Sequence, residues 1–415
     1  MILDGQPLRV LMLITNLGQG GAERVFHDHA TAFAKRGLVV EQAVFAGDYP
    51  DAYQTQLPLH QLFPPLWLTW FGAIGRLFGR ALALRRLVAS GRFDVVVSHM
   101  DGANWVNVLS GAQTAKILVV HGSVLHDQNQ FGWRQWLRLR FIIPILYNRA
   151  DATVSVSEGI GRELIGLNVA RVQAIPNFFD VQRIAADALQ SIADTHRGFF
   201  ESGPVLVSCG RLSRQKNQQQ LLHLFAAIRK RRKDVKLVIL GDGELRRNLL
   251  EKCSELGLSA VHPWGGDAAS VDVAADVLFL GYQTNPFSYL ALSRLFLFPS
   301  SWEGFPLALC EAMACGVPVL SADCPTGPRE ILDPIGGTTT MPATIAEFTS
   351  AGVLLPMLYD EYSRRVWLET VLKLLDSPTE CESLIQGAHT RVQQLDREVV
   401  LGRWIDLLHD AVEQQ

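Results

Sequence analysis

Two pairs of charged residues are spaced so that they could do chemistry. Arg211 and Lys216, in "GRLSRQKN", are five residues apart, between the end of an apolar run and the start of a helical pattern. A guanidinium fork and a point-charge ammonium there suit a diphosphate, helped by the free N–H groups of the helix start. Glu303 and Glu311, in "SSWEGFPLALCEAMACGVPV", are eight apart. Pro306 fits the first position of a helix, and Gly316 closes it. Glu303, just before that helix, could serve only as a partner for the helix dipole. That does not explain Glu311, which lies deep in an apolar segment beside Cys310 and Met313. A carboxylate there needs an arginine or a ligand hydroxyl. A further segment, "TNLGQGGAERV" from Thr15 to Val25, sets a glycine loop between a strand and a helix, the layout of a nucleotide-binding crossover. Glu23 stands where the third glycine of G-x-G-x-x-G should be, and this breaks the dinucleotide fingerprint.

Such residues need strand ends to hold them. "LRVLML", "VVEQAVF", "FDVVVSH", "AKILVVHG", "ATVSVS" and "VQAIPN" read as strands separated by helix-length segments, beginning with a helix from Gly21 to Arg36. That alternation predicts an α/β fold with a parallel sheet covered on both faces. The pattern restarts at "PVLVSCGRL", with a helix from about Asn217 to Arg232 and then "VKLVILGDGE", "ADVLFLGY", "RLFLFPS", "GVPVLSA" and "AGVLLP". The reading is two doubly wound Rossmann-like domains, residues 1–185 and 200–385, with a last helix over about 391–412 packing back on the first. Ligands of such sheets sit outside the carboxyl ends of the strands, and two sheets facing a central cleft would put the function on those loops.

Composition narrows the classes. A net charge of −3 over 415 residues argues against a nucleic-acid binder that depends on global positive charge. The six cysteines all follow residue 208 and form no C-x-x-C pair, which fits a reducing cytosol better than a zinc or disulfide framework. No signal peptide or bilayer-spanning run is visible, so the expected place is the cytoplasm, either free or on one membrane face.

The two glutamates with seven residues between resemble the E-x7-E motif of retaining glycosyltransferases of the GT-B fold. "GGAER", "GRL" with its "QKN", "GDGE", "FLGYQTNPFSYL" and "GPREIL" follow in the order of glycosyltransferase family 4, a resemblance running from about residue 8 to 335. It implies that Arg211 and Lys216 hold the pyrophosphate of a nucleotide-sugar donor, UDP- or GDP-linked. Glu303 and, from the first domain, His121 in "VVHGS" would meet the donor sugar at the reaction centre. Amides of Gly304, Phe305 and Leu307 would surround sugar and phosphate, with Pro306 shaping the turn. Glu311 would accept from the ribose hydroxyls, and Gly281 and Tyr282 would line the base pocket. Gly20 and Gly21 would let their backbone approach the donor diphosphate or the acceptor. The implied activity is hexosyl or N-acetylhexosaminyl transfer in bacterial polysaccharide, lipopolysaccharide or oligosaccharide assembly. Phe178 and Phe179 in "IPNFFD" depart from the smaller residues of relatives, and "SAVHPWGGDAASVD" is longer than expected.

No D-x-D occurs, so no metal and no cofactor are expected, with the arginine–lysine pair standing in for a cation clamp and the anomeric configuration retained. An NAD-dependent oxidoreductase or epimerase would need the missing third glycine. A non-catalytic sugar-nucleotide binder would not need Glu303, Glu311, Arg211 and Lys216 together. For the acceptor side, no acidic residue lies between Asp51 and Asp94, where Arg76, Arg80, Arg85, Arg86 and Arg92 stand near Trp67 and Trp70. Arg134, Arg138, Arg140 and Arg149 recur with Trp133 and Trp136 before Asp151. Residues 63–92 and 131–149 are therefore expected to dock on an anionic membrane surface, making the protein peripheral at the inner, cytoplasmic face of the cell membrane, where a lipid-linked or glycan acceptor would be presented. A packed aromatic core with solvated arginines is the competing reading.

Overall fold

The computed structural model describes residues 2–3, 6–18, 20–45, 54–126, 132–262, 264, 271–334 and 341–414. The chain divides into two compact units, Met1–Asn177 with Glu398–Gln415, and Phe178–Arg397.

In the first unit a small hairpin, β1 (Ile2–Leu3) and β2 (Gln6–Pro7), leads into β3 (Arg9–Ile14) and α1 (Gly21–Lys35). Then come β4 (Val39–Phe45), β5 (Leu59–Leu62), α2 (Leu66–Thr69), α3 (Gly72–Gly91), β6 (Val95–His99), α4 (Asp101–Leu109) and β7 (Ala115–Val120). The unit continues through α5 (Trp133–Leu137), a π-turn (Arg138–Ile142), α6 (Ile143–Tyr147), β8 (Ala152–Ser155), α7 (Glu158–Gly166) and β9 (Val172–Ala174). Seven strands pair in parallel in the order β5-β4-β3-β6-β7-β8-β9. Strands such as β6, "VVVSH", are buried throughout. That is why they read as continuous apolar runs instead of alternating ones. β5 was not foreseen, because "LHQL" is half polar and sits at the sheet edge.

The second unit opens with α8 (Val181–Ala188), α9 (Asp194–Glu201), β10 (Val205–Cys209), α10 (Gln218–Arg231), β11 (Lys236–Leu240), α11 (Arg246–Glu255), β12 (Ala260–Val261) and β13 (Val277–Gly281). Next are α12 (Phe287–Ala291), β14 (Leu295–Phe298), α13 (Leu307–Ala314), β15 (Val319–Ala322), α14 (Pro328–Leu332), β16 (Glu347–Phe348) and β17 (Val353–Leu355). Two long helices, α15 (Glu361–Leu375) and α16 (Pro378–Gln393), close it. The sheet order is β12-β13-β11-β10-β14-β15-β17-β16, parallel except for the edge strand β16. Phe225, Phe279, Leu297 and Trp367 sit in one continuous buried core.

The boundaries differ from the expected 1–185 and 200–385. The chain crosses at Asn177/Phe178, because α8 packs on α12 and α13 of the second unit. The expected helix 391–412 is instead the end of α16, in the second unit, followed by α17 (Arg397–Glu413). From Glu398 on, α17 belongs to the first unit, where Trp404 packs on His29 and Phe33 of α1.

Each sheet has a point where strands built in opposite directions from the centre meet. In the first this point lies between β3 and β6, in the second between β10 and β14. At such switch points neighbouring loops part and leave a crevice at the carboxyl ends. The loops at these crevices are those after Ile14 and His99, and those after Cys209 and Phe298.

Candidate active site

The second switch point joins two of the sequence motifs. After β10 the chain makes a single turn, Arg214–Lys216, closed by Asn217 in the left-handed region (φ +57). Asn217 Nδ2 donates to the carbonyls of Pro299 (3.2 Å) and Leu358 (3.1 Å). Gln215 Nε2 donates to the Trp302 carbonyl at 2.8 Å, and the Ser301 N–H donates back to the Gln215 carbonyl at 2.8 Å. The polar residues of "RQKN" thus stitch one strand-end loop to the other. The outcome is an ion pair: Lys216 Nζ lies 2.6 Å from Glu303 Oε1. Their side chains are 19% and 7% exposed, so the pair is largely shielded from water. The ammonium also sits 5.0 Å from the centre of the Phe298 ring.

Glu303 is held from behind by the "TGPREIL" segment. Thr326 Oγ1 donates to the Glu303 carbonyl. Gly327 adopts φ +92, and a Cβ there would stand 2.7 Å from Pro306 Cδ and 2.9 Å from the Gly304 carbonyl oxygen. Only glycine fits so close a crossing. Arg329 anchors the segment through ion pairs with Asp323 and Glu347.

Gly304, Phe305 and Pro306 are buried and Leu307 is half-buried. Pro306 caps α13 and is not its first residue, which is Leu307. The N–H groups of Leu307 and Ala308 head the helix and have no acceptor within it. Glu311 follows on α13 with 4% exposure, and its charge helps push the Cys310 and Cys315 thiols up, after burial itself. Gly316 ends the helix at φ +74.

Arg211 stands apart from Lys216 in its partners. Its guanidinium is 73% exposed and donates to Glu244 Oε2 at 3.1 Å. Gly281 ends β13 at φ +66, its carbonyl accepting from the Gly241 N–H at 2.7 Å, and Tyr282 beside it is exposed.

In the first unit, Gly20 caps α1 and Gly21 begins it. The atoms nearest the place of a Gly20 Cβ are those of the Glu23 carboxylate, a movable group. Gly18 serves an Asx turn, donating its N–H to Asn16 Oδ1 at 2.8 Å. His121 follows β7, and its Nε2 lies 2.9 Å from Nδ1 of His99, the last residue of the neighbouring strand β6. The loop after His121 is clamped by Glu163 of α7. Its carboxylate accepts from Ser123 Oγ (2.7 Å) and from the N–H groups of Val124 (2.7 Å) and Leu125 (3.2 Å). His99 and Glu163 escaped the sequence reading. "VVVSHM" and "VVHGS" both end an apolar run on histidine, and that likeness was the available signal.

The basic-aromatic segments are only partly what their charge pattern foretold. Arg138 is no surface cation: it is buried, paired with Asp101 Oδ2 at 2.6 Å, while Tyr147 Oη donates to the other Asp101 oxygen at 2.7 Å. Arg80 is half-buried over the Phe45 ring at 4.4 Å. Arg76, Arg85, Arg86, Arg134, Arg140 and Arg149 are exposed. So are Phe63, Trp67, Trp70, Phe71 and Ile74, with Trp70 at 90%, and Trp133, Trp136, Phe141 and Ile145. Phe131 lies outside the described residues, as do Pro263 and residues 265–270 of the long segment before β13. Among the described residues no helix is long and apolar enough to cross a membrane.

Comparison with known proteins agrees with this architecture. Residues 19–183 match the family described as Glycosyltransferase Family 4, and residues 193–348 match Glycosyl transferases group 1. The chain is 28% identical over 271 residues to the uncharacterized glycosyltransferase MJ1059 of Methanocaldococcus jannaschii, covering 62% of this chain and 63% of that one. It is 31% identical over 259 residues to the N-acetylgalactosamine-N,N'-diacetylbacillosaminyl-diphospho-undecaprenol 4-alpha-N-acetylgalactosaminyltransferase of Campylobacter jejuni, covering 60% and 63%. The match thus spans just under two thirds of the length of these two relatives. Anabaena Alr3699/HepE, solved with UDP and glucose, shares the fold with a TM-score of 0.75 at 18% identity, over 97% of this chain and all of that one. Two Rossmann-like units, strand-end motifs in family order and matches to both halves together establish that the chain belongs to the GT-B glycosyltransferases of the family 4 type.

Proposed function

We propose that this protein moves a hexosyl or N-acetylhexosaminyl group from a UDP- or GDP-linked sugar to a lipid-linked or glycan acceptor, with retention and without a metal ion. The observation that carries the reading is the Lys216–Glu303 pair at the switch point of the second sheet, beside the N-terminal amides of α13. Departure of a nucleoside diphosphate builds negative charge on phosphate and positive charge on the anomeric carbon. Lys216, Arg211 and the amides of Gly304, Phe305 and Leu307 would stabilise the first. Glu303, with His121 from the first unit, would serve the sugar, as carboxylates do in reactions of oxocarbenium character. Glu311 would take the ribose hydroxyls, and Gly281 and Tyr282 the base. The Campylobacter relative's diphospho-undecaprenol acceptor and the UDP and glucose bound by HepE support these substrate classes.

A panel of UDP- and GDP-linked hexoses and N-acetylhexosamines, offered with lipid-diphosphate and glycan acceptors, tests it. The expected result is nucleoside diphosphate release that survives EDTA and an α-linked product from an α-linked donor. Loss of turnover with EDTA would remove metal independence, and a β-linked product would remove retention. No release from any donor would sink the reading.

The same reading places the acceptor at a membrane. The exposed aromatic side chains of α2–α3 and α5–α6 follow the carboxyl ends of β5 and β7 and carry exposed arginines, a composition suited to an anionic lipid interface. In flotation with anionic vesicles the protein should rise with the lipid. A Trp67→Ser/Trp70→Ser/Phe71→Ser/Ile74→Ser variant should stay below, and an Arg76→Glu/Arg134→Glu/Arg140→Glu variant should lose most of its binding. Equal flotation of all three would end the membrane proposal.

A further inference from the structure

We infer that His99 is a positioning residue that holds His121 by its Nε2 and leaves His121 Nδ1–H as the donor offered to a ligand. The inference rests on the reading above that His121 meets the transferred sugar.

The geometry carries it. His99 ends β6 with no exposed surface, and its ring stacks on that of His121 with centres 5.0 Å apart. The 2.9 Å bond runs from nitrogen to nitrogen, so the two rings satisfy each other instead of converging on a shared metal ion. One proton lies in that bond, and its owner decides which hydrogen His121 shows. Suppose His121 Nε2–H donated. His99 would then carry its own proton on Nε2, a buried nitrogen with no hydrogen-bond partner among the described residues. The His99 ring is packed against the rings of Phe26 and His29, with centres 5.3 and 5.6 Å away. An N–H shut away from any acceptor costs about 1–3 kcal/mol, and such groups are rarer than orphaned acceptors. With His99 Nδ1–H as donor, the buried nitrogen is a bare lone pair, and His121 keeps its hydrogen on Nδ1. Burial keeps both rings neutral: it lowers the His121 pKa to about 4 and that of His99 well below the ordinary value. A neutral N–H donor orients an oxygen of the sugar without acting as an acid.

A second observation shows that the strand end is held deliberately. Met100, the next residue, has φ +73 and ψ 151, a region open almost only to glycine and costing about 1–3 kcal/mol. The backbone keeps that conformation because Asp101 is tied down by Arg138 and Tyr147, and because the Asn104 N–H closes on the Met100 carbonyl at 2.9 Å. The strain sits at the residue that directly follows His99.

The test reads the tautomer directly. Protein labelled with 15N-histidine is measured by long-range 1H–15N correlation at pH 7.5 without substrate, with His121 assigned from a His121→Gln sample. A neutral Nδ1–H ring is expected; an Nε2–H ring or an imidazolium overturns the inference. His99→Asn keeps an N–H near the place of Nδ1 and should preserve both the tautomer and kcat within a few fold. His99→Leu should mix the tautomers and lower kcat about 100-fold with little change in donor KM. If His99→Leu is as active as wild type, His99 does not position His121. The two ideas fail separately: unchanged transfer by His121→Gln would remove His121 from the reaction and leave the tautomer measurement standing.

Discussion

Replacing Lys216 with alanine is expected to lower glycosyl transfer by about two to three orders of magnitude, the usual effect of losing one fixed stabiliser of developing negative charge. The same change strands Glu303, whose side chain is only 7% exposed, without its cation. Breaking a shielded pair from one side costs about 3–5 kcal/mol, more than the pair contributes when intact. Activity and stability can therefore be separated. Lys216→Ala alone should lose both. Lys216→Ala with Glu303→Gln should recover most of the stability, since the abandoned charge is gone, and none of the activity. Urea unfolding read beside single-turnover transfer checks this. If Lys216→Ala keeps more than a tenth of wild-type turnover, the pair is not the reacting centre. If the double variant regains transfer, the ammonium's role is structural.

The second large effect is on stability against acid. Burial lowers the His29 pKa to about 3, with a further contribution from His121, and lowers His121 to about 4. Burial, then His121 and His29, sets His99 well below the ordinary value. As pH falls below about 6.5 the unfolded chain takes up protons at these positions and the native state does not. The unfolded state then binds more protons, so stability rises with pH in this window and is lost as pH falls from about 6.5 toward the folded values. Well below pH 6.5 each such group removes about 1.4 kcal/mol per pH unit. His29 and His121 together should therefore remove about 3 kcal/mol between pH 6.5 and pH 5, because the slope builds up only as the unfolded rings become fully protonated. Guanidinium unfolding of the first unit at those two pH values measures it. His29→Leu, in a site walled by Phe33 and Trp404, should flatten the slope by about one histidine's share. A flat wild-type profile would mean that these rings do not stay neutral in the native state.

Local pattern was legible where a residue's role depends on its neighbours in the chain. The buried strands announce themselves as apolar runs, Gly316 closes α13, and the two series of strands appear as two units. Where the role depends on charge alone, the sequence misled. Arg138 and Arg80 look like their exposed neighbours in a basic stretch, yet one is buried against Asp101 and the other lies over Phe45. A helix turn carries side chains to opposite faces, and charge counted along the chain does not say which face is covered. The unit boundary was displaced for a similar reason. The polar composition of α8 suits a linker, but contact with α12 and α13 assigns it to the second unit.

The amino-acid sequence by itself determined the fold class and the residue types at the strand ends: the glycine loop, Arg211 and Lys216, Glu303 and Glu311, and a histidine after a buried strand. Periodicity and turn chemistry are local, so they survive without coordinates. Only the tertiary structure decided which of these residues meet. Lys216 reaches Glu303 across 87 residues because β10 and β14 are neighbours at the switch point of the sheet, and Arg211, five positions away, turns to Glu244 in solvent. His121 meets His99 because β6 and β7 lie side by side, so two histidines far apart in the chain share one proton. Strand order is set by the packing of the whole unit, and it alone fixes which strand ends stand next to one another.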